Sequence, residues 1–374
     1  MTVEELLKNY IFDLPKDWRD SNDGDYYHFV LHTLNAYVAL LKKLGPIVID
    51  HRTEYIGPLG TLPNTELVQK AVHEVRLGII RALQALANQG SPGNALAIMA
   101  KHFDLPRRKQ LYSPAVHLSR VFLSGNTLLY RLRKDDMPLQ ARQMLHIPYE
   151  LRSLVTSQRF SIAGQPCIYA ASSVYLAYKE IRATSYGLSL HAVKLRANVE
   201  SDYAPVTLVD LRNRVQGVRK KYLGRPNYYD GDLIKFLVTW PLVMATSVPK
   251  NPKDNFHAEY QIPHLFLEWV RSSQPKNSPR LDGLMFSSSL ESPSDPNYLN
   301  AYNVVIPVHH WDDEGLCRVR TSQLQVSSPI TRAMLTVETS ASTPPEEIAD
   351  LVQQALQHQE FQTLSPKSPY AVVA

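Results

Sequence analysis

Glu180 is the carboxylate whose surroundings are most typical of a functional side chain. It follows Cys167-Ile-Tyr-Ala170, which is short and apolar enough to be a buried strand. Ser172-Ser173 then supplies an N-cap oxygen for a helix that begins at Val174. Helical periodicity places Glu180 at the boundary between the apolar stripe and solvent. A carboxylate there can be partly desolvated and face a cleft, although a solvated Glu is the commoner outcome.

Arg131 is a second side chain whose position in the sequence is compatible with a role in catalysis or ligand binding. It belongs to Leu128-Leu-Tyr-Arg-Leu-Arg133, which has the alternation of a strand. Successive side chains of a strand point to opposite faces, so Arg131 and Arg133 share one face while Tyr130 and Leu132 occupy the other. Arg131 can therefore project from a sheet into a cleft. A surface strand with exposed arginines is an equally common outcome of this pattern.

Together these segments resemble the central motif of the RES-domain family, which is named for an Arg, a Glu and a Ser. That motif has an Arg after an apolar-aromatic pair, an Arg-Phe step, an aromatic strand with small residues, and a helix that carries the Glu. The matching segments, in order, are Leu129-Tyr-Arg131, Arg159-Phe160, Ile168-Tyr-Ala-Ala-Ser172 and Ala177-Tyr-Lys-Glu180. The resemblance extends from about Asn126 to Pro307.

The serine of the family lies in an Asp-Gly-hydrophobic-x-aromatic-x-Ser step. Asp282-Gly-Leu-Met-Phe-Ser-Ser288 is similar to this step and designates Ser288. A second position upstream, around Tyr260-Gln261, is the alternative.

Members of the RES family resemble ADP-ribosyltransferases and degrade NAD as bacterial toxins. The resemblance therefore implies cleavage of the bond between nicotinamide and ribose, with water or phosphate as the acceptor. NAD is then the substrate, and no metal is required. In this reaction Glu180 would oppose the positive, oxocarbenium-like charge that develops on the ribose.

The resemblance also implies roles for the other motif residues. Arg131 and Arg159 would bind the pyrophosphate, because a planar guanidinium binds phosphate oxygens bidentately and stays charged. Tyr169 would stack on the nicotinamide end or hydrogen-bond to it. Ser288 would hydrogen-bond the nicotinamide amide or the ribose. A neutralising antitoxin or immunity protein that occludes the cleft is the implied partner, and the sequence leaves the oligomeric state open.

Two other functions remain open from the sequence alone. ADP-ribosyl transfer to a protein or nucleic acid uses the same residues and differs only in the acceptor. A catalytically inactive RES-like module, with the helical ends as the functional parts, is the non-enzymatic alternative.

The composition of the chain limits the other classes of protein to which it could belong. The 374 residues carry a net charge of +5, with 40 basic and 35 acidic side chains. This mild excess can attract an anionic dinucleotide but is not typical of a protein that binds nucleic acid directly. No apolar run has the length of a membrane span, and the first residues lack the regions of a signal peptide. Two distant cysteines suit a reducing compartment, so we expect a soluble cytoplasmic protein without a membrane partner.

Helical periodicity dominates the first third of the chain. Apolar residues recur at helical spacing in 25–44, 64–90 and 92–103, which predicts a helical N-terminal domain over 1–120. Within 1–120 no Arg is followed four to six residues later by His. Because helical nucleases have that spacing, its absence from the helical domain argues against a nuclease.

The rest of the chain has a different pattern. Short apolar segments with single helices between them predict an α+β domain over 121–330, and the resemblance implies an ADP-ribosyltransferase-like mixed β core with flanking helices. The segment 331–374 is expected to hold one helix, started by a capping box at Thr343-Pro-Pro-Glu346, and a flexible tail beyond Phe361.

Overall fold

The structure is a computed structural model that describes residues 1–45, 48–49, 65–181, 189–225, 228–250, 255–272, 280–288, 290, 300–308, 315–335 and 343–364. These residues form two compact units. The first combines Met1–Arg120 with Val209–Arg280, and the second combines Val121–Leu208 with the described part of Leu281–Ala374.

Helices and strands both occur in the described residues. The helices are α1 (Val3–Leu7), α2 (Tyr26–Lys42), α3 (Thr65–Gln89), α4 (Pro92–Phe103), α5 (Pro114–His117), α6 (Val174–Glu180), α7 (Val215–Tyr222), α8 (Gly231–Ser247), α9 (Gln261–Ser272), α10 (Arg318–Gln323) and α11 (Pro345–Gln357). The strands are β1 (Val48–Ile49), β2 (Arg120–Phe122), β3 (Leu129–Lys134), β4 (Cys167–Ala171), β5 (Leu190–Ala197), β6 (Thr207–Leu211), β7 (Tyr228–Tyr229), β8 (Gly283–Ser287), β9 (Tyr302–Pro307), β10 (Leu324–Ser327), β11 (Ile330–Thr331) and β12 (Phe361–Thr363).

The units differ from the domains 1–120, 121–330 and 331–374 in two ways. The border near Arg120 coincides with a border between units, but Val209–Arg280 belongs with the N-terminal helices and not with the unit that carries the sheet. Helix α11 is part of the second unit. The sequence pattern does not predict the first difference. Along the chain, strands of the second unit separate helices α7 to α9 from the N-terminal helices.

Helix α8 explains why the first unit needs both segments of chain. Fourteen of its 17 residues are buried, so it is the central element around which amphipathic helices pack. Pro241 lies inside it and has no N–H to donate to the carbonyl of Leu237 one turn earlier. The hydroxyl of Tyr37, on α2, donates to that carbonyl at 2.8 Å. A buried acceptor is thereby satisfied by a residue 200 positions away.

The described strands form a ten-stranded sheet with the order β12-β10-β5-β3-β4-β9-β8-β6-β2 and β11 paired with β5. Eight of these strands lie wholly in the second unit, whereas β6 and β2 each contain a border between the units. From β12 to β8 each strand runs antiparallel to its neighbours. Apolar side chains cover both faces of the sheet. One face contributes Leu129 and Ile168 to one core cluster, while the other contributes Tyr130 and Ala171 to a second cluster with α6 and α11. This α+β architecture agrees with the sequence prediction at the level of fold class.

The end of the chain corrects two expectations. Helix α11 begins at Pro345 with Pro344 as its N-cap residue and no side-chain cap, so the capping box at Thr343 is not formed. The segment after Phe361 is not a flexible tail throughout, because β12 pairs with β10. The remainder of the expected tail, 365–374, lies outside the described residues.

Candidate active site

Glu180 is the last residue of α6, and its position follows from the strand and helix before it. The Oγ of Ser173 accepts a hydrogen bond from the backbone N–H of Leu176 at 3.1 Å and caps the helix as expected. Val174, Leu176 and Ala177 are buried against the sheet. The short helix is held at its start and along its inner face, and it carries the exposed side chain of Glu180 at its end.

Two buried side chains meet the carboxylate of Glu180 at one oxygen. The hydroxyl of Ser288 donates to Glu180 Oε1 at 2.7 Å, and the Nδ2 of Asn303 donates to the same oxygen at 2.6 Å. Ser288 and Asn303 are 1% and 2% exposed. No described residue donates a hydrogen bond to the second oxygen, Oε2. The carboxylate is therefore held through Oε1 and has Oε2 available.

Ser288 follows β8, and its hydroxyl proton has a defined direction. The backbone N–H of Leu290 donates to Ser288 Oγ at 3.1 Å, which uses an oxygen lone pair and leaves the hydroxyl proton for Glu180. The structure thus brings Ser288 to Glu180. The alternative around Tyr260-Gln261 belongs to the other compact unit.

The Asp-Gly step before Ser288 is structural. A Cβ atom at Gly283 would lie 2.2 Å from the carbonyl oxygen of Val305 on the neighbouring strand, so a larger residue does not fit. Asp282 is buried and pairs with the fully buried Arg320 at 2.9 Å. The second carboxylate oxygen of Asp282 accepts from the backbone N–H of Thr207 at 3.1 Å. These contacts fix the start of β8, the strand that leads to Ser288.

A cavity of about 250 Å³ opens beside Glu180, within the second unit. Its lining includes Glu180, Asn303, Arg131 and Tyr169. The cavity coincides with a gap in the sheet. Strands β3 and β4 are paired at one position, Tyr130 opposite Ala171, whereas β3 and β5 are paired at six positions.

Arg131 bridges this gap. Its Nη1 donates to the backbone carbonyl oxygen of Tyr169 at 2.8 Å, across the place where β3 and β4 are no longer paired. It is half-buried and lies in the cavity wall. The strand alternation expected for Arg131 and Tyr130 holds, since Tyr130 is buried in the cluster on the opposite face. Arg131 thus combines a backbone contact with a positive charge in the cavity.

Tyr169 lies in the same wall, and its hydroxyl is engaged within the protein. The backbone N–H of Phe160 donates to the Tyr169 hydroxyl oxygen at 3.3 Å. Burial raises the pKa of Tyr169 well above its ordinary value, and the neighbouring Cys167 and Glu180 act in the same direction. Tyr169 is therefore neutral near neutral pH, and no general-base role follows for it.

Arg159 is not among the residues that line the cavity. It is half-buried and lies in a tight turn whose ends, Gln158 and Ser161, exchange backbone hydrogen bonds of 2.9 and 3.1 Å. Gln158 and Ser161 do line the cavity. Arg159 is thus outside the lining but lies in sequence between two residues that belong to it, while Arg131 lies in the wall.

His146 is a buried neighbour of this site. The backbone N–H of Cys317 donates to its Nε2 at 3.0 Å, so Nε2 is unprotonated and Nδ1 carries the proton, which faces the carbonyl oxygen of Ile147 at 2.9 Å. Burial lowers the pKa of His146 to about 4, and the positive charge of Arg131 contributes to the decrease. A neutral imidazole is compatible with a cationic Arg131 nearby.

Asn303 is a site residue that the sequence analysis missed. From sequence alone, Asn303-Val-Val-Ile-Pro-Val308 is predicted only to be a late strand. A signal was present, because Asn303 is the one amide in this apolar strand, and a buried amide needs a hydrogen-bond partner. The sequence could not show that this partner is Glu180.

Metal sites and membrane-spanning helices are both absent among the described residues. Among these residues, no three His, Cys, Asp or Glu side chains are grouped so that they could hold a metal ion. None of the helices in the described part of the chain combines the length and apolar composition that a bilayer crossing needs.

Comparison with known proteins gives one informative relative. The chain is 25% identical over 297 residues to a protein of Bacillus subtilis (strain 168) named "Putative toxin YopC". The match covers 74% of this chain and 63% of the relative, so the chain spans less than two thirds of that protein. No family model matches the chain, and no solved structure matches it.

Proposed function

We propose that this protein is a RES-type toxin that depletes NAD by cleaving the bond between nicotinamide and ribose. The observation that carries the proposal is the hydrogen bond between Ser288 and Glu180 at the edge of a cavity whose wall contains Arg131. These are the Ser, Glu and Arg that the RES pattern designates. They come from three separate segments of the chain, and the fold brings Ser288 into direct contact with Glu180.

The charges of the site suit the chemistry. Nicotinamide leaves as a neutral pyridine, so the main difficulty is the positive charge that develops on the ribose. Glu180 Oε2 places a negative charge at the cavity without an internal hydrogen bond that would compete for it. Ser288 holds Glu180 and does not need to contact the nicotinamide, which modifies the role expected from the resemblance.

The cavity size suits one end of a dinucleotide. Sites for whole drug-sized ligands have volumes of about 300 to 1,000 Å³, and the cavity here is about 250 Å³. The nicotinamide and its ribose would occupy the cavity, while the pyrophosphate would lie near its opening. A guanidinium has five N–H donors, so Arg131 can bind the Tyr169 carbonyl and a phosphate together. Arg159, which lies between the lining residues Gln158 and Ser161, would meet the phosphates from outside the cavity.

Two further observations support the proposal. The gap between β3 and β4 opens a cleft in the sheet next to the carboxylate, where a ligand can reach it. A relative that matches most of this chain is named a putative toxin. An NAD-degrading enzyme would act as a toxin through loss of an essential cofactor, and a partner that covers the cavity would neutralise it.

The deciding experiment is incubation of the purified protein with NAD, followed by chromatography for nicotinamide. We expect nicotinamide together with ADP-ribose in plain buffer, or with a phosphorylated ADP-ribose if phosphate is the acceptor. Labelled NAD added with cell lysate would reveal ADP-ribosyl transfer as a labelled macromolecule. A folded protein that releases no nicotinamide in either assay would refute the proposal, and NAD binding without turnover would favour an inactive binding module.

A further inference from the structure

We propose that Asn303 is a positioning residue that, with Ser288, holds Glu180 by Oε1 and directs Oε2 to the substrate. The inference rests on the proposed function for the identity of the reaction. The contacts that carry it are independent of that function. Asn303 itself need not touch the substrate for the proposal to hold.

The backbone of Asn303 has a fixed position. Strand β9 lies between β4 and β8, and Asn303 is paired with Ala171 on one side and with Phe286 on the other. A residue held by both neighbouring strands cannot move without breaking the sheet. The amide of Asn303 is thus presented from one of the more rigid places in the second unit.

The orientation of the amide follows from chemistry. An ionised carboxylate only accepts hydrogen bonds, so the group of Asn303 that lies 2.6 Å from Glu180 Oε1 must be the NH₂ group. The opposite orientation would place two acceptor oxygens in contact. Asn303 therefore acts as a neutral donor, which holds the carboxylate without cancelling its charge as a lysine or arginine would.

Glu180 needs such a restraint because of where it lies. It is an exposed side chain at the end of a short helix, and an exposed Glu populates many rotamers. Two donors on one oxygen, both from buried residues, select one arrangement before substrate binds. A preorganised charge stabilises a transition state more than one that must first be ordered.

The variants Asn303→Ala and Asn303→Asp distinguish hydrogen-bond donation to Glu180 from a contribution of Asn303 to packing. Ala removes the donor, and we expect kcat for nicotinamide release to fall about 10- to 100-fold with little change in KM. Asp keeps the shape but places a second acceptor, normally charged, against Oε1, so we expect it to be at least as damaging as Ala. If packing alone mattered, the isosteric Asp variant would retain more activity than the Ala variant, and that result would overturn the proposal.

Ser327→Ala is a matched control for loss of a buried polar group in the same sheet. Ser327 is fully buried and accepts from the backbone N–H of Lys194 at 3.1 Å. We expect this variant to lower the melting temperature and to leave kcat unchanged. A kcat loss in Ser327→Ala equal to that in Asn303→Ala would also overturn the proposal, since destabilisation would then explain both.

A readout without turnover distinguishes failure of this inference from failure of the proposed function. Carboxyl ¹³C NMR of glutamate-labelled protein, with the Glu180 signal assigned from Glu180→Gln, reports on the two donors directly. We expect the Glu180 signal to move toward that of a solvated glutamate in Asn303→Ala and to stay in place in Ser327→Ala. If wild type releases no nicotinamide, this comparison still decides the positioning role, and an unmoved signal in Asn303→Ala would refute it.

Discussion

Ser288 and Glu180 are 108 residues apart in sequence, and the Ser288 hydroxyl donates a hydrogen bond of 2.7 Å to Glu180 Oε1. The order β4-β9-β8 in the sheet produces this contact. Helix α6 follows β4 and ends at Glu180, while Ser288 follows β8, and β9 supplies Asn303 between them. A change in any of these three side chains is therefore expected to alter the same carboxylate.

Glu180→Gln tests the electrostatic role of the carboxylate. Glutamine keeps the shape and an oxygen that can accept from Ser288 and Asn303, but it removes the charge. Because that charge acts in the transition state, we expect turnover of NAD to fall by roughly 10²-fold or more while NAD still binds. Growth inhibition on expression should be relieved in parallel. Glu347→Gln, at an exposed glutamate on α11, is the control. Equal turnover of NAD by both variants would show that Glu180 is an ordinary solvated helix residue.

Arg131→Ala tests the phosphate site. Loss of a charge-assisted contact in a partly buried site typically costs a few kcal/mol, so we expect NAD affinity to fall by about 10- to 100-fold. Arg133→Ala is the matched control, because Arg133 lies on the same strand face but does not line the cavity. Calorimetric titration with NAD measures affinity, and thermal denaturation checks the fold. Unchanged affinity in a stable Arg131→Ala protein would place the phosphates elsewhere.

Asp282→Ala tests the structural reading of the Asp-Gly step. The substitution leaves Arg320, which is 0% exposed, without its carboxylate partner. An unpaired buried charge costs about 3 to 5 kcal/mol, so the free energy of unfolding in urea should fall by that amount. Asp350→Ala, an exposed acid on α11, should change it little. A loss below about 1 kcal/mol for Asp282→Ala would show that the pair is not needed for stability.

His146 predicts a pH dependence of stability. Its pKa is lowered from 6.5 to about 4 in the folded protein, so the unfolded chain takes up a proton at a higher pH than the native state does. Stability from this group is present above its unfolded pKa and is lost as the pH falls from 6.5 toward 4. The loss is on the order of 3 kcal/mol, since one pKa unit corresponds to about 1.4 kcal/mol.

His146→Gln isolates this contribution, because glutamine offers an acceptor for the Cys317 N–H and does not titrate. Urea unfolding near neutral pH and at about pH 5 should show a smaller decrease in the variant than in wild type. The other groups that titrate in this pH range contribute the same decrease in the free energy of unfolding to both proteins. Equal decreases would mean that His146 is not buried as a neutral group.

The division into units predicts the behaviour of fragments. A fragment of residues 1–120 lacks α8, and Tyr26 and Tyr37 then lose the carbonyl partners of their buried hydroxyls, Ala245 and Leu237. We expect this fragment alone to lack a cooperative thermal transition. Addition of residues 209–280, which complete the first unit, should restore one. A stably folded 1–120 fragment would support the domain border drawn from sequence.

The positions of single helices and strands, and the cap of α6, could be predicted from the sequence. The strand β4, the Ser173 cap and the helix to Glu180 agree with expectation, because strand length, side-chain alternation and capping depend on neighbours within a few residues. The same holds for α2, α3 and α4, whose apolar stripes have helical spacing. The resemblance of the sequence to the RES pattern also designates Arg131, Glu180 and Ser288 as candidate site residues.

Long-range pairing was decided only by the tertiary structure. Val209–Arg280 reads as part of the α+β region, and the packing of α8 assigns it to the first unit. Asn303 reads as an ordinary strand residue until β9 places its amide against Glu180. Arg320 lacks a recognisable role until Asp282 faces it. Each of these contacts joins groups that are far apart along the chain, and a buried polar group takes whichever partner the packed elements bring within hydrogen-bond distance.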